Sequence, residues 1–154
     1  MSTSASITEM FNDLVLDGMN EGRNRFRTIT VHNDGYHNTE FSVGQILLRY
    51  YNTQEKVDEL ISMGCASSIG SMLNPDKDKP HNMDHRQKDV CLFYHRDCGE
   101  DLEIRKYKTE EEMNMDTCED YNYWFKDGKW YVKRWGDGKW KRLRPINNKH
   151  YGGL

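Results

Sequence analysis

Two short polar stretches hold most of the side chains able to do chemistry: His32-Asn33-Asp34-Gly35-Tyr36 and His95-Arg96-Asp97-Cys98-Gly99-Glu100. Each follows an apolar run, so each reads as the turn at a strand end, where side chains from distant parts of a chain converge. His32, His95, Asp34, Asp97 and Glu100 are the right residue types for general acid–base work or for a divalent cation. Their spacing fixes no ligand geometry, however, and short acids in turns commonly bond their own backbone. An arginine among carboxylates is suited instead to holding an anion. Arg96 would meet the charge, Asp97 or Glu100 would orient the guanidinium, and Tyr36 would stack. His32, Asp34, Tyr36, His95, Arg96, Asp97 and Glu100 are therefore the expected ligand- or partner-binding residues. No catalytic residue, metal or cofactor is assigned. This expectation requires the two turns to lie side by side, with Asp34 and Asp97 around one concavity at one sheet edge.

Other patterns narrow the chemistry. His95-Arg96-Asp97 matches part of a protein-kinase catalytic loop, but the Asn required five residues after the Asp is Leu102 here. No glycine-rich loop with a following Val-Ala-x-Lys exists either, so that reading fails. Cys98 beside His95 and Arg96 offers a thiol next to cations, a setting that favours the thiolate. His81 and His85 have the separation of a helical metal pair but fall in a Pro-flanked polar loop and read as solvated. The cysteines at 65, 91, 98 and 118 form no Cys-x-x-Cys pair, which argues against a zinc knuckle. With no signal-peptide pattern, reduced thiols in a cytoplasm are expected.

The formal net charge is −3, but it is unevenly placed. Residues 126–154 hold nine Lys/Arg and two Asp, a net +7; the 13 basic and 23 acidic residues before them leave −10. A basic tail of this kind either docks on the acidic body or meets an anionic partner. All four tryptophans (124, 130, 135 and 140) lie in the same region, interleaved with lysines and arginines. Aromatics stack bases and cations meet phosphates, so Lys133, Arg134, Lys139, Lys141 and Arg142 are candidate anion or nucleic-acid contacts. The competing reading puts the tryptophans in a sheet core and the lysines on an edge, where they prevent strand pairing.

The elements that must position these residues follow from pattern. A length of 154 residues fits one domain, and no apolar run reaches membrane-spanning length. Residues 1–24 are expected to form an N-terminal helical extension. Ser6-Ile7-Thr8-Glu9 fits a capping box, and Met10, Phe11, Leu14 and Val15 recur at helical spacing. Residues 25–144 form a single α+β domain. It opens with a strand over 25–31. A helix capped by Ser42 and a second begun at Asn52 with Glu55 in the box position follow, nearly continuous, kinked at 51–53 and closed by Gly64. Residues 65–89 are irregular. Asp89 to His95 reads as an inner strand, 102–107 as a further strand, and Thr109 starts a short acidic helix. Asp127-Gly128 and Gly136-Asp137-Gly138 turn a Trp-rich three-stranded meander over 121–126, 129–135 and 139–143. Residues 145–154 form a flexible tail. The whole is a small antiparallel or mixed sheet with a helical segment packed on one face.

The order of several short motifs carries a family resemblance. They are Asp34-Gly35-Tyr36, Val43-Gly44-x-x-Leu47-x-x-Tyr50-Tyr51, Lys56-Val57-x-x-Leu60-Ile61-x-x-Gly64, Ser67-Ser68-x-Gly70, Tyr94-His95-Arg96-Asp97-x-Gly99-Glu100 and Tyr123-x-Phe125-x-x-Gly128-x-Trp130. Over about residues 26–133 the chain resembles a group of small uncharacterised proteins of tailed-bacteriophage genomes and prophages. The group usually reads Cys-His-Trp-Asp-Gly-Tyr at the first turn, where this chain has Val31-His32-Asn33-Asp34-Gly35-Tyr36, and Arg-Asp-Arg-Gly-Glu at the later one, where Cys98 replaces the second Arg. The resemblance implies a phage accessory protein in the host bacterial cytoplasm, which by analogy inhibits a defence or host process. Its partner would be a host or defence protein, a nucleic acid or a nucleotide signal, with no membrane involved. The alternatives are a small phosphodiesterase or nuclease acting on a defence signal, or a nucleic-acid-binding regulator.

Overall fold

The computed structural model describes residues 3–11 and 24–146. Its elements are β1 (Ala5–Met10), β2 (Phe26–Val31), α1 (Val43–Tyr50), α2 (Gln54–Ser62), β3 (Ala66–Ser68), β4 (Leu92–Phe93), α3 (Tyr94–Cys98), β5 (Arg105–Tyr107), α4 (Glu110–Asp116), β6 (Tyr121–Lys126), β7 (Lys129–Arg134) and β8 (Lys141–Arg142). The expected α+β fold and mixed sheet are present. The strands run in the order β4-β3-β2-β1-β6-β7-β8. β5 shares one edge of β2 with β3, pairing its first residues while β3 pairs its last. The β1–β6 and β2–β3 pairs are parallel and the others antiparallel.

The main correction concerns the N-terminal segment. Residues 5–10 are the middle strand of the sheet, not the start of a helix, and the sheet therefore begins well before residue 25. The rest of the expected helix, including Leu14 and Val15, lies outside the described residues. The capping-box pattern at Ser6 to Glu9 is also a period-two pattern. Ala5, Ile7 and Glu9 share one face, and Ser6 and Thr8 the other. β1 pairs with β2 on one side and β6 on the other, residue for residue. Both flanking strands would otherwise carry unpaired backbone groups in the core, a cost that outweighs a local helical preference of a few tenths of a kcal/mol per residue.

The face of the sheet under α1 and α2 forms the main core. Register puts Ala5 and Ile7, Ile29 and Val31, Tyr123 and Phe125, and Trp130 and Val132 on that face. They pack against Val43, Ile46 and Leu47 of α1 and Val57, Leu60 and Ile61 of α2. The break between the helices falls at Tyr51, whose carbonyl accepts from Trp130 Nε1 at 2.8 Å and whose hydroxyl donates to the Gly70 carbonyl at 2.8 Å. The second helix is capped one residue later than its pattern predicts, by the Thr53 hydroxyl accepting from Lys56 N–H. Ser42 occupies the N-cap of α1, but its hydroxyl bonds back to the Thr39 carbonyl. The opposite sheet face carries a smaller cluster of Phe26, Tyr107, Met113 and Trp124, with Trp140 packed against it and α4 across it. The tryptophans are thus divided: Trp130 belongs to the main core, Trp124 to the second, and Trp135 is 73% exposed.

One buried charge cluster ties β1 to α2. Glu9 is fully buried, with Arg27 Nε donating to Oε2 at 2.5 Å and Gln54 Nε2 donating to Oε1 at 2.8 Å. Arg27 also donates to the Asp58 carbonyl at 3.0 Å. Burial, then the hydrogen bond shared with Asp58, pushes the Glu9 carboxyl up to about 8 against the pull of Arg27. Asp58 shifts the other way: its own desolvation is outweighed by hydrogen bonds with Glu9 and Gln54 and by Arg27. The two carboxyls thus shift in opposite directions, as acids sharing one site do.

For an acid whose pKa is higher folded than unfolded, the folded chain keeps a proton that the unfolded chain releases. The Glu9 contribution is therefore complete below about 4.5 and declines as pH rises towards about 8. Urea unfolding followed by tryptophan fluorescence is expected to show lower stability at pH 9 than at pH 6. Glu9→Gln is expected to remove that decline, an effect on the order of a few kcal/mol at about 1.4 kcal/mol per pKa unit.

Candidate anion-binding site

The two turns singled out in the sequence share a concavity only through His32, Gly99 and Glu100, and not through Asp34 and Asp97. Val31 pairs with Ala66, and Ala66 with Phe93, but β4 runs antiparallel to β3 and β2. The chain therefore leaves Val31 in one direction and Phe93 in the other. β4 is also a two-residue edge strand, not an inner one, and the chain turns into α3 at Tyr94. His32 does reach Tyr94, Nδ1 to hydroxyl at 2.7 Å, and both line a pocket with Glu100. Asp101 and Glu103 complete its wall, so that pocket repels anions. His95 is tied by Nδ1 to the Glu100 carbonyl at 2.8 Å. Asp34 and Tyr36 line a separate depression.

Arg96 and Asp97 are committed to holding the long 69–91 loop. Asp97 Oδ2 accepts from Phe93 N–H at 2.8 Å, which sets the start of α3, and Arg96 pairs with both carboxylate oxygens. The same guanidinium donates to the carbonyls of Leu73 at 2.8 Å and Cys91 at 3.0 Å. His81, expected to be solvated, completes the clamp. Its side chain is 3% exposed; Nδ1 accepts from Gln87 N–H at 3.0 Å, and Nε2 faces the Cys91 carbonyl at 2.8 Å. His85 is exposed. Cys98 is not activated: burial, then Glu100 and Asp97, push its thiol up. Among the described residues no three His, Cys, Asp or Glu side chains are grouped to hold a metal ion. No described helix is long and apolar enough to cross a membrane.

The cations converge elsewhere. Arg134, Lys141, Arg142 and Arg144 line one open cleft of about 630 Å³ together with His37. Three of the five basic residues expected to contact anions are among them. Lys133 instead donates to Asn114 Oδ1 at 3.2 Å and sits over the Trp140 ring, while Lys139 is exposed outside the cleft. Arg144 and His37 were not singled out by pattern. Asp137 is the one acid among the described residues in the wall, and its carboxylate accepts from Arg134 N–H at 3.0 Å to close its own turn. No described carboxylate forms an ion pair with any of the four cations. His37 is held below its ordinary range by burial and then by Arg134, against Asp137. Its Nδ1 is buried with no hydrogen-bond partner among the described residues.

The walls are fixed by a small set of bonds. Gln45, fully buried on α1, donates to the His37 carbonyl at 2.7 Å and the Arg144 carbonyl at 3.0 Å, and accepts from Ile146 N–H at 3.1 Å. Pro145 and Ile146 are therefore not loose; the remainder of the expected tail lies outside the described residues. The 34–42 loop is held at both ends, by Val43 N–H to the Asp34 carbonyl and Gly44 N–H to the Tyr36 carbonyl. Tyr123 hydroxyl donates to the Gly35 carbonyl at 2.6 Å. Two glycines permit this packing. A Cβ at Gly35 would stand 2.7 Å from the Ser4 carbonyl oxygen, and one at Gly44 would stand 2.7 Å from His37 Cα.

Arg96→Ala strands a 4%-exposed carboxylate and three loop contacts. It is expected to destabilise the fold by about 3 kcal/mol in urea unfolding and to open the 69–91 loop to limited proteolysis. Wild-type-like stability of this variant would rule out the clamp. Comparison with protein-family models, curated proteins and solved structures returned no match for the chain.

Proposed function

We propose that the protein is a phage accessory protein that binds a phosphate-bearing host ligand, a nucleic acid or nucleotide signal, and so blocks a defence or host process without turning the ligand over. The observation that supports binding is the convergence of Arg134, Lys141, Arg142 and Arg144 on one cleft. Like charges brought together are unfavourable in isolation and become favourable when an anion joins them and releases its counterions. The phage and host context rests on the resemblance of residues 26–133 to phage and prophage proteins, and the bacterial cytoplasm is the corresponding location. A phosphodiesterase or nuclease remains the second reading, because His37 supplies an imidazole at the same cleft.

The test is fluorescence anisotropy with a labelled single-stranded octanucleotide across a salt series. Four phosphate contacts predict a slope of log affinity against log salt of about −3, reduced by about 0.7 for each of Arg134→Ala and Lys141→Ala. Lys139→Ala is expected to change it less. Affinity that ignores both salt and Arg134→Glu/Lys141→Glu would rule out the cleft. Ligand recovered intact after denaturing the complex supports binding; cleaved ligand identifies the enzyme.

A further inference from the structure

The basic cleft does not end at its cations. Asn38 lines both the cleft and a second depression of about 560 Å³, formed by the 34–42 loop. This second depression differs in character. Tyr36 and Phe41 stand in its wall, 41% and 76% exposed, so each presents a large aromatic surface to water. Tyr36 is supported from behind by Tyr121 at 5.8 Å between centroids, and Tyr121 in turn by His37 at 5.3 Å. Register places Tyr121 opposite Arg134, so the aromatic row runs directly into the first cation of the cleft. Asp34 and Glu40 line the depression as well, with Glu40 facing Arg49 at 3.7 Å.

A phosphate is repelled by that depression and attracted by its neighbour. An unpaired base has the reverse preference. It gains from stacking on exposed aromatic rings, and carboxylate or amide side chains can accept from its amino groups. We propose that the 34–42 loop is a base-recognition subsite. Tyr36 and Phe41 take an unpaired base, Asp34 and Asn38 read its polar edge, and the adjoining phosphates lie on Arg134, Lys141, Arg142 and Arg144. The ligand is then an unpaired nucleotide unit, within a single strand or free, and not duplex backbone. This inference rests on the cleft being an anion site. Each depression has the size of a small-ligand pocket, and their shared wall gives one continuous track.

The experiment compares four probes by anisotropy or competition: the single-stranded octanucleotide, an abasic strand with the same number of phosphates, the duplex, and a nucleoside triphosphate. The base-bearing strand is expected to bind more tightly than the abasic strand and the duplex. Tyr36→Ala and Phe41→Ala, both at exposed positions, are expected to weaken the base-bearing strand by about 5- to 150-fold, the range for a lost stacked base, and to leave the abasic strand unchanged. Competition by the triphosphate at concentrations matching the strand assigns the site to a free nucleotide, and its failure assigns it to a strand; either supports the subsite. Equal binding of base-bearing and abasic strands, unchanged by both variants, overturns the base subsite and leaves the anion cleft intact. No salt-sensitive binding of any probe overturns the cleft itself.

Discussion

The backbone ladder on both sides of β1 is the constraint on which the rest of the molecule depends. β2 is bonded to one edge of Ala5–Met10 and β6 to the other, so this six-residue strand joins the helical half of the chain to the Trp-rich meander. The strand is also polar. Ser6 Oγ donates to Asn122 Oδ1 at 2.7 Å, Thr8 and Thr28 hydroxyls meet at 2.7 Å, and Glu9 meets Arg27. A one-residue slip would move every one of these partners to the wrong face. Buried polar pairs of this kind add specificity of register to a ladder that apolar packing alone would leave less defined.

That register determines where charge accumulates. Arg134 lies in the row of Ala5, Val31 and Tyr121, at the end of the helix-covered face, because β1, β6 and β7 are locked residue against residue. Lys141 and Arg142 follow on the next strand, and Gln45 brings Arg144 to the same cleft from α1. The acids at Glu100, Asp101 and Glu103 gather at the β2–β3–β4 side instead. The basic cleft and this acidic pocket therefore lie at different parts of the sheet.

The His95-Arg96-Asp97 triplet shows how a catalytic-looking pattern becomes a structural one. Its carboxylate starts a five-residue helix and its guanidinium gathers two loop carbonyls. An irregular loop exposes backbone groups that need partners, and a forked cation with five donors supplies several at once. The burial of His81 has the same cause, since its two ring nitrogens meet one backbone donor and one backbone acceptor.

Much of the fold was legible in the chain itself. Asp127-Gly128 between alternating apolar residues specified the β6–β7 hairpin, Gly64 closed α2 with φ of +84°, and Thr109 before three glutamates started α4. These are local signals, set by dihedral preference and by hydrogen bonds within a few residues. The candidate site was legible only in part: the residue types and the basic segment were visible, and so were Asp34 and Tyr36, but not their grouping. Whether Ser6 to Glu9 caps a helix or fills a sheet depends on strands from residues 26–31 and 121–126 that need a partner. Whether Arg96 or Arg134 meets solvent depends on which backbone carbonyls lie within reach. Sequence determined the helices and the hairpin, because their causes are local; tertiary structure decided the central strand, the loop clamp and the convergence of cations, because those depend on which backbone groups and charges the fold brings within reach, for β1 from 18 to 116 residues away.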